Sequence, residues 1–431
     1  MLTLTLFLYN FLLYIGLLVM LPSSLIKAKK TGVDIRYWLG LLPPELKEKP
    51  KHKKTVWVHA VSVGEVNSVR PLIKKIKETY PDLTIVLSTV TGAGQEVARK
   101  SVKEADHFIF FPSDLPWTLR RFFRYIRPHL LILVETELWP NLISLAASRA
   151  IPVVLVNGSI SRRSSERYQK IKWFFQPILN RMTLFLMQSS TEAERIIAIG
   201  APQEKVINTG NIKFDISIPE LTESEKQQYR SLFGFNQTQP IWLVGSTHPG
   251  EETIILRVFK SLLTQVPELK LILAPRHPHR ADEVVKEIEA VQLAYVRRSR
   301  IENSESQIQK PQIILVDTVG ELTKLYSLST VVFVGGSLVP IGGHNLLEPA
   351  ILRKPVLFGP YMQETRDSTE LLLTTGGGIQ VKSEKELEDQ VLYLLNHPEE
   401  RNDRGEKAKS AVLANQGATN KTLALLGKYL S

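Results

Sequence analysis

The sequence predicts an α/β protein of two Rossmann-like domains in tandem, a pairing whose ligands bind at the carboxyl ends of the strands, in a deep cleft. Three observations predict it. Short apolar runs alternate with segments that repeat apolar residues at helical spacing, as in a parallel sheet covered on both faces. This alternation starts at Thr55 and restarts at Ile241. The two halves also repeat each other: Trp57 precedes Glu65 by eight positions and Trp242 precedes Glu251 by nine, each time through a small polar loop ending in Gly-Glu. The second strands keep step, Ile85 lying 20 positions after Glu65 and Ile272 lying 21 after Glu251. A chain of 431 residues exceeds what one core usually supports, which agrees with two domains.

The elements follow in order. No charged side chain precedes Lys27, and Lys27, Lys29 and Lys30 follow the apolar run at once. A cleavable signal would carry its charges before the run, so residues 1–26 read as an uncleaved membrane anchor that spans the bilayer or lies partly embedded in it. The lysines place the remaining chain on the cytoplasmic side of that membrane, where anionic lipid is a partner. Residues 27–54 form a connector containing Gly32, Pro43, Pro44 and Pro50.

The ordered body opens with a strand over 55–59 and a helix over 66–80, where Val69, Leu72, Ile73 and Ile76 keep one face. Strands at 83–88, 107–111 and 130–134 each lead into a helix, over 94–103, 115–126 and 138–149, and strands at 151–156 and 184–187 complete the first set. Polar residues and Thr209-Gly210-Asn211 interrupt the pattern within 205–235, which sets domain borders of 55–215 and 216–431. The second set has strands at 241–245, 269–274, 313–316, 330–334 and 355–358.

Candidate chemistry gathers at strand ends. Val56 to Glu65 is an apolar strand that ends in small residues and delivers a carboxylate to the next helix. Glu65 there either complements the helix dipole or works in a cleft. In the second half, Gly335-Gly336-Ser337 ends a strand, and Gly342-Gly343-His344-Asn345 leads into a helix carrying Glu348. Glycines let backbone amides approach a phosphate, and an acidic side chain one turn on can accept ribose hydroxyls. Glu135 and Glu137 bracket Thr136 at a helix start and read as capping groups rather than metal ligands. His248 and His344 lack a second histidine at ligand spacing, and the chain has no cysteine, so no metal is expected. Arg162, Arg163 and Arg167 suit either the phosphates of a ligand or a solvated face. The net charge of +11 implies an anionic partner: nucleic acid, anionic lipid or a phosphorylated substrate.

Five separated motifs then carry a resemblance. They are His59-Ala60-Val61-Ser62-Val63-Gly64-Glu65, Glu135 to Asn141, Gly210 to Asp215, Pro275-Arg276-His277-Pro278, and Gly335 through Glu348. In this order the sequence resembles the 3-deoxy-D-manno-octulosonic acid (Kdo) transferases of lipopolysaccharide assembly. The resemblance implies a GT-B glycosyltransferase with CMP-Kdo as donor substrate, a lipid A precursor as acceptor, no cofactor or metal, and no nucleic-acid partner. It further implies Glu65 as general base and CMP contacts from Pro275, Arg276, Val319, Gly320, Glu321, Asn345, Leu346, Leu347 and Glu348. Two readings stand beside it: another GT-B enzyme using a UDP-sugar, transferase or epimerase, and a non-catalytic basic membrane adaptor.

Overall fold

The computed structural model describes residues 2–31, 40–41, 54–301 and 311–431. The chain forms two compact units, Met1–Asp215 with Gln416–Ser431, and Ile216–Asn415.

The first unit holds seven strands: β1 (Thr55–His59), β2 (Thr84–Thr89), β3 (His107–Phe110), β4 (Leu130–Val134), β5 (Val153–Gly158), β6 (Leu184–Met187) and β7 (Val206–Asn208). Their order is β3-β2-β1-β4-β5-β6-β7, every pair parallel. Alternate side chains feed two cores. Trp57, Leu131, Leu133, Val153 and Leu155 fill one face, while Val56, Val58, Leu130, Ile132 and Val154 fill the other. Burial on both sides is why these strands read as continuous apolar runs.

The second unit repeats the plan with β8 (Ile241–Thr247), β9 (Lys270–Pro275), β10 (Tyr295–Arg297), β11 (Ile313–Leu315), β12 (Val331–Val334), β13 (Val356–Phe358) and β14 (Gly378–Gln380). The order is β10-β11-β9-β8-β12-β13-β14, again all parallel. Three strands were not anticipated: β7, β10 and β14. Each is three residues long and lies at a sheet edge, where at least two of its residues remain partly exposed, so no apolar run marks it.

The end of the chain departs from the expected border. Helix Ala418–Leu430 belongs to the first unit, not to 216–431 as a whole. Its buried Ala418, Leu426 and Leu430 join the core of Val56 and Ile73. The Asp215 carboxylate accepts the backbone N–H groups of Gly417 and Thr419, so it caps that helix, and Gly417 takes the φ of +104° that starts it.

Residues Leu2–Thr31 form one helix, which runs past the anchor expected at 1–26. The connector lies largely on 32–39 and 42–53, outside the described residues. Among the described residues no helix is long and apolar enough to cross a membrane. The helix is fastened to the first unit by polar groups. The Tyr9 hydroxyl donates to Asp114 Oδ2 at 3.0 Å, and Asn141 Nδ2 donates to Asn10 Oδ1 at 2.7 Å. Leu4, Phe7, Phe11, Leu12, Ile15 and Val19 remain exposed on it.

Candidate active site

In the first unit, β1 ends at His59 and helix Val63–Thr79 begins four residues later. Ser62 is its N-cap, accepting the Glu65 N–H at 3.4 Å. Glu65 completes only half of a capping box, because its carboxylate returns to Val61 N–H (2.8 Å) and the Ser62 hydroxyl (3.1 Å). Only 8% of the residue is exposed. Burial pushes its pKa from 4.5 up to about 7, against the Val61 N–H, and the charges of Glu137 and Glu135 push the same way. A carboxylate so poised holds or releases a proton near neutral pH, as a general base must.

Glu137 and Glu135 are not caps. The Trp139 indole donates to Glu137 Oε2 at 2.7 Å, and Lys213 Nζ lies 3.0 Å from Glu135 Oε1. The helix they precede, Pro140–Ser148, is capped by Asp114 instead, which accepts Asn141 N–H (3.0 Å) and Leu142 N–H (2.8 Å). Glu135 sits in the left-handed region, φ +58°, directly after β4, a conformation that turns the chain sharply where the carboxylates gather. His59 completes the group. It is fully buried, stacked on Phe111 at 4.1 Å, hydrogen-bonded through Nδ1 to Ser88 Oγ, and its Nε2 lies 4.0 Å from Glu137 Oε2. Burial drops its pKa to about 3, so it is a neutral imidazole at neutral pH. Sequence reasoning did not assign His59, Glu137 or Lys213 a role in the site. Their signal was that each lies inside one of the motifs quoted above.

Glu251 occupies the same position in the repeat as Glu65, and here the two halves part. Its fully buried carboxylate accepts four backbone N–H groups: His248 (2.9 Å), Gly336 (2.7 Å), Ser337 (3.0 Å) and Leu338 (2.8 Å). The oxygens of Glu251 are saturated, so it fastens two loops together. Those of Glu65 accept two groups and keep capacity for a third.

The second unit's candidate residues all follow strand ends. Pro275 closes β9; the Arg276 N–H binds Thr247 O at 3.0 Å, and its guanidinium is exposed, with no ion pair among the described residues. Asn345 Nδ2 donates to Glu348 Oε1 at 3.0 Å, and Asn345 Oδ1 accepts Leu347 N–H, which starts helix Leu347–Ile351. Leu346 and Leu347 are buried and contribute packing and backbone. Burial raises the Glu348 pKa, while Asn345, Thr323 and the charge of Arg276 lower it. Thr323 reaches Glu348 Oε2 at 3.2 Å, which ties the loop holding Val319, Gly320 and Glu321 to that helix. Val319 is 85% exposed and Gly320 has φ +90°, so this turn offers backbone to solvent. Glu321 is already engaged: Arg298 Nη2 donates to it at 2.8 Å and the Thr318 hydroxyl binds its other oxygen. Among the described residues no group of three His, Asp or Glu side chains could hold a metal ion.

The chain is similar to several known proteins. Residues 36–216 match the family model described as 3-deoxy-D-manno-octulosonic-acid transferase (kdotransferase). A 3-deoxy-D-manno-octulosonic acid transferase of Haemophilus influenzae is 37% identical over 376 residues, covering 87% of each chain. One of Chlamydophila psittaci is 32% identical over 403 residues, covering 92% of this chain and 90% of its own. Among solved structures, the UDP-GlcNAc 2-epimerase of Neisseria meningitidis superposes with a TM-score of 0.58 at 16% identity, over 87% of this chain and all of that one, a likeness of fold alone.

Proposed function

The chain belongs to the 3-deoxy-D-manno-octulosonic acid transferase family and is a glycosyltransferase with a GT-B fold that transfers Kdo in lipopolysaccharide biosynthesis; from that premise we propose how its residues carry the transfer. The donor is CMP-Kdo and the acceptor a lipid A precursor. Glu65 removes the proton of the acceptor hydroxyl as its oxygen attacks the anomeric carbon of Kdo, and CMP departs. The observation that carries this reading is the half-satisfied Glu65 carboxylate, buried and poised near pH 7. Lys213 and Arg276 supply positive charge for the Kdo carboxylate and the phosphate. Asn345 and Glu348 hold the ribose, and the exposed turn at Val319-Gly320 meets the nucleotide with its backbone.

The enzyme works at the cytoplasmic face of the inner membrane. Support comes from the uncharged run before Lys27 and from the exposed apolar side chains of helix Leu2–Thr31. Because Tyr9 and Asn10 bond that helix to the first unit, we read it as lying in the lipid interface rather than crossing it. The test is incubation of the detergent-solubilised protein with CMP-Kdo and a tetra-acylated lipid A precursor, followed by mass analysis. Addition of Kdo is the expected result. No product, together with tighter binding of UDP than of CMP, would overturn the donor assignment.

A further inference from the structure

Two imidazoles, one of them inside the motif running from Gly335 through Glu348, have no role in the account above. His248 follows β8 and His344 precedes Asn345, 96 positions apart, yet their Nε2 atoms are 2.8 Å from each other and their ring planes differ by 11°. At that distance one ring donates Nε2–H to the bare Nε2 of the other. No hydrogen bond from either Nδ1 occurs among the described residues.

The contact is built rather than incidental. Glu251 accepts the N–H of His248 and the N–H of Gly336 on the same oxygen, so it holds the two loops in register. Gly336 has φ +68°, and a Cβ there would stand 2.9 Å from His344 Cδ2, so only glycine lets the ring in. On the other side, Ser246 takes φ +60° where β8 slips register against β9, just before His248. Both positive-φ positions lie at the carboxyl end of a parallel sheet, the end at which ligands bind in doubly wound folds.

We propose that His248 and His344 form a proton-sharing clamp for the phosphate of the cytidine nucleotide, taking up one proton when the nucleotide binds. This rests on the reading of the second unit as the donor site. The chemistry follows from the tautomers. In the neutral pair one Nδ1 carries a proton and the other is bare; a single added proton turns both Nδ1 atoms into donors while the Nε2–H···Nε2 bond is kept. Without ligand that proton is absent. Burial and then the charge of Arg276 lower the His344 pKa to about 4, and burial with His277, Arg280 and Arg276 lowers that of His248 against the pull of Glu252. Glu251 accepts the backbone N–H of His248, and its oxygens are occupied by amides. An anion placed beside Arg276 reverses the repulsion that keeps the proton away.

The clamp then has a part in the transfer. The bond from the anomeric carbon to the phosphate oxygen breaks and leaves its electron pair on that oxygen. The acceptor oxygen bonds the carbon, and its proton passes to Glu65. The departing phosphate gains negative charge, which the N–H groups meet while the shared proton stays on nitrogen.

The test is calorimetric titration of the full-length protein in detergent with CMP and with cytidine. It is run near pH 7 in two buffers of different ionisation enthalpy. Wild type should bind CMP with proton uptake, seen as a buffer-dependent heat. His344→Asn should abolish that uptake and weaken CMP about 10- to 100-fold, the worth of a charge-assisted hydrogen bond, while cytidine affinity stays unchanged. His248→Asn should do the same, which guards against a folding defect peculiar to one variant. Unchanged CMP affinity and buffer dependence in both variants would overturn the clamp alone. So would unchanged CMP affinity with a raised KM for CMP-Kdo, which moves the contact to the sugar carboxylate. Wild type that binds no CMP would overturn both the clamp and the donor site.

Discussion

Replacing Glu65 by glutamine separates a general base from a helix-capping group. Because the buried carboxylate holds its proton more tightly when folded than when unfolded, the native state binds more protons between pH 4.5 and about 7. Stability therefore falls as pH rises through that window, and the loss is complete above it. The displacement from 4.5 to about 7 amounts to about 3 kcal/mol of lost stability at pH 8. Glutamine removes this and gives up one of the two hydrogen bonds accepted from Val61 and Ser62, worth about 1 kcal/mol. Glu65→Gln should thus stabilise the first unit by about 2 kcal/mol at pH 8, a rise of roughly 4–8 °C in Tm, and slightly destabilise it at pH 4.5. Turnover should fall roughly 10²–10⁴-fold, since an amide cannot take the acceptor's proton. Melting curves at both pH values and Kdo transfer on the same preparation decide the matter. Near-normal turnover would remove the base from the mechanism, and a lower Tm at pH 8 would show that the carboxylate supports the fold.

Two further substitutions probe the second unit. Arg276→Ala should weaken CMP binding about tenfold or more with Tm nearly unchanged, because its exposed guanidinium has no ion pair among the described residues to lose; titration calorimetry and melting check it. Glu251→Gln should do the reverse of Glu65→Gln: an amide NH₂ facing the N–H groups of His248 and Gly336, or of Ser337 and Leu338, leaves two buried donors unmet, and melting at pH 7 should report a loss of about 2–4 kcal/mol.

The sequence by itself determined the two parallel sheets and their internal repeat, since strands buried on both faces must be apolar at every position, as Leu130 to Val134 are. It also brought Glu65 and Arg276 to strand ends and Asn345 to the start of a helix, because loop chemistry next to an apolar run is a local signal. What only the tertiary structure decided were contacts between distant positions. The edge strands β7, β10 and β14 draw their identity from a neighbour's backbone rather than from their own side chains. Helix Ala418–Leu430 is placed by Asp215, some 200 residues earlier, and no periodicity records that partner. Glu65 and Glu251 look alike in the chain, each following Gly at the start of a helix. Their difference is how many donors reach each carboxylate: two for Glu65, and four for Glu251, three of which come from a loop more than 80 residues away. A carboxylate's chemistry is set by what surrounds its oxygens, and in a doubly wound fold those surroundings arrive from other strands.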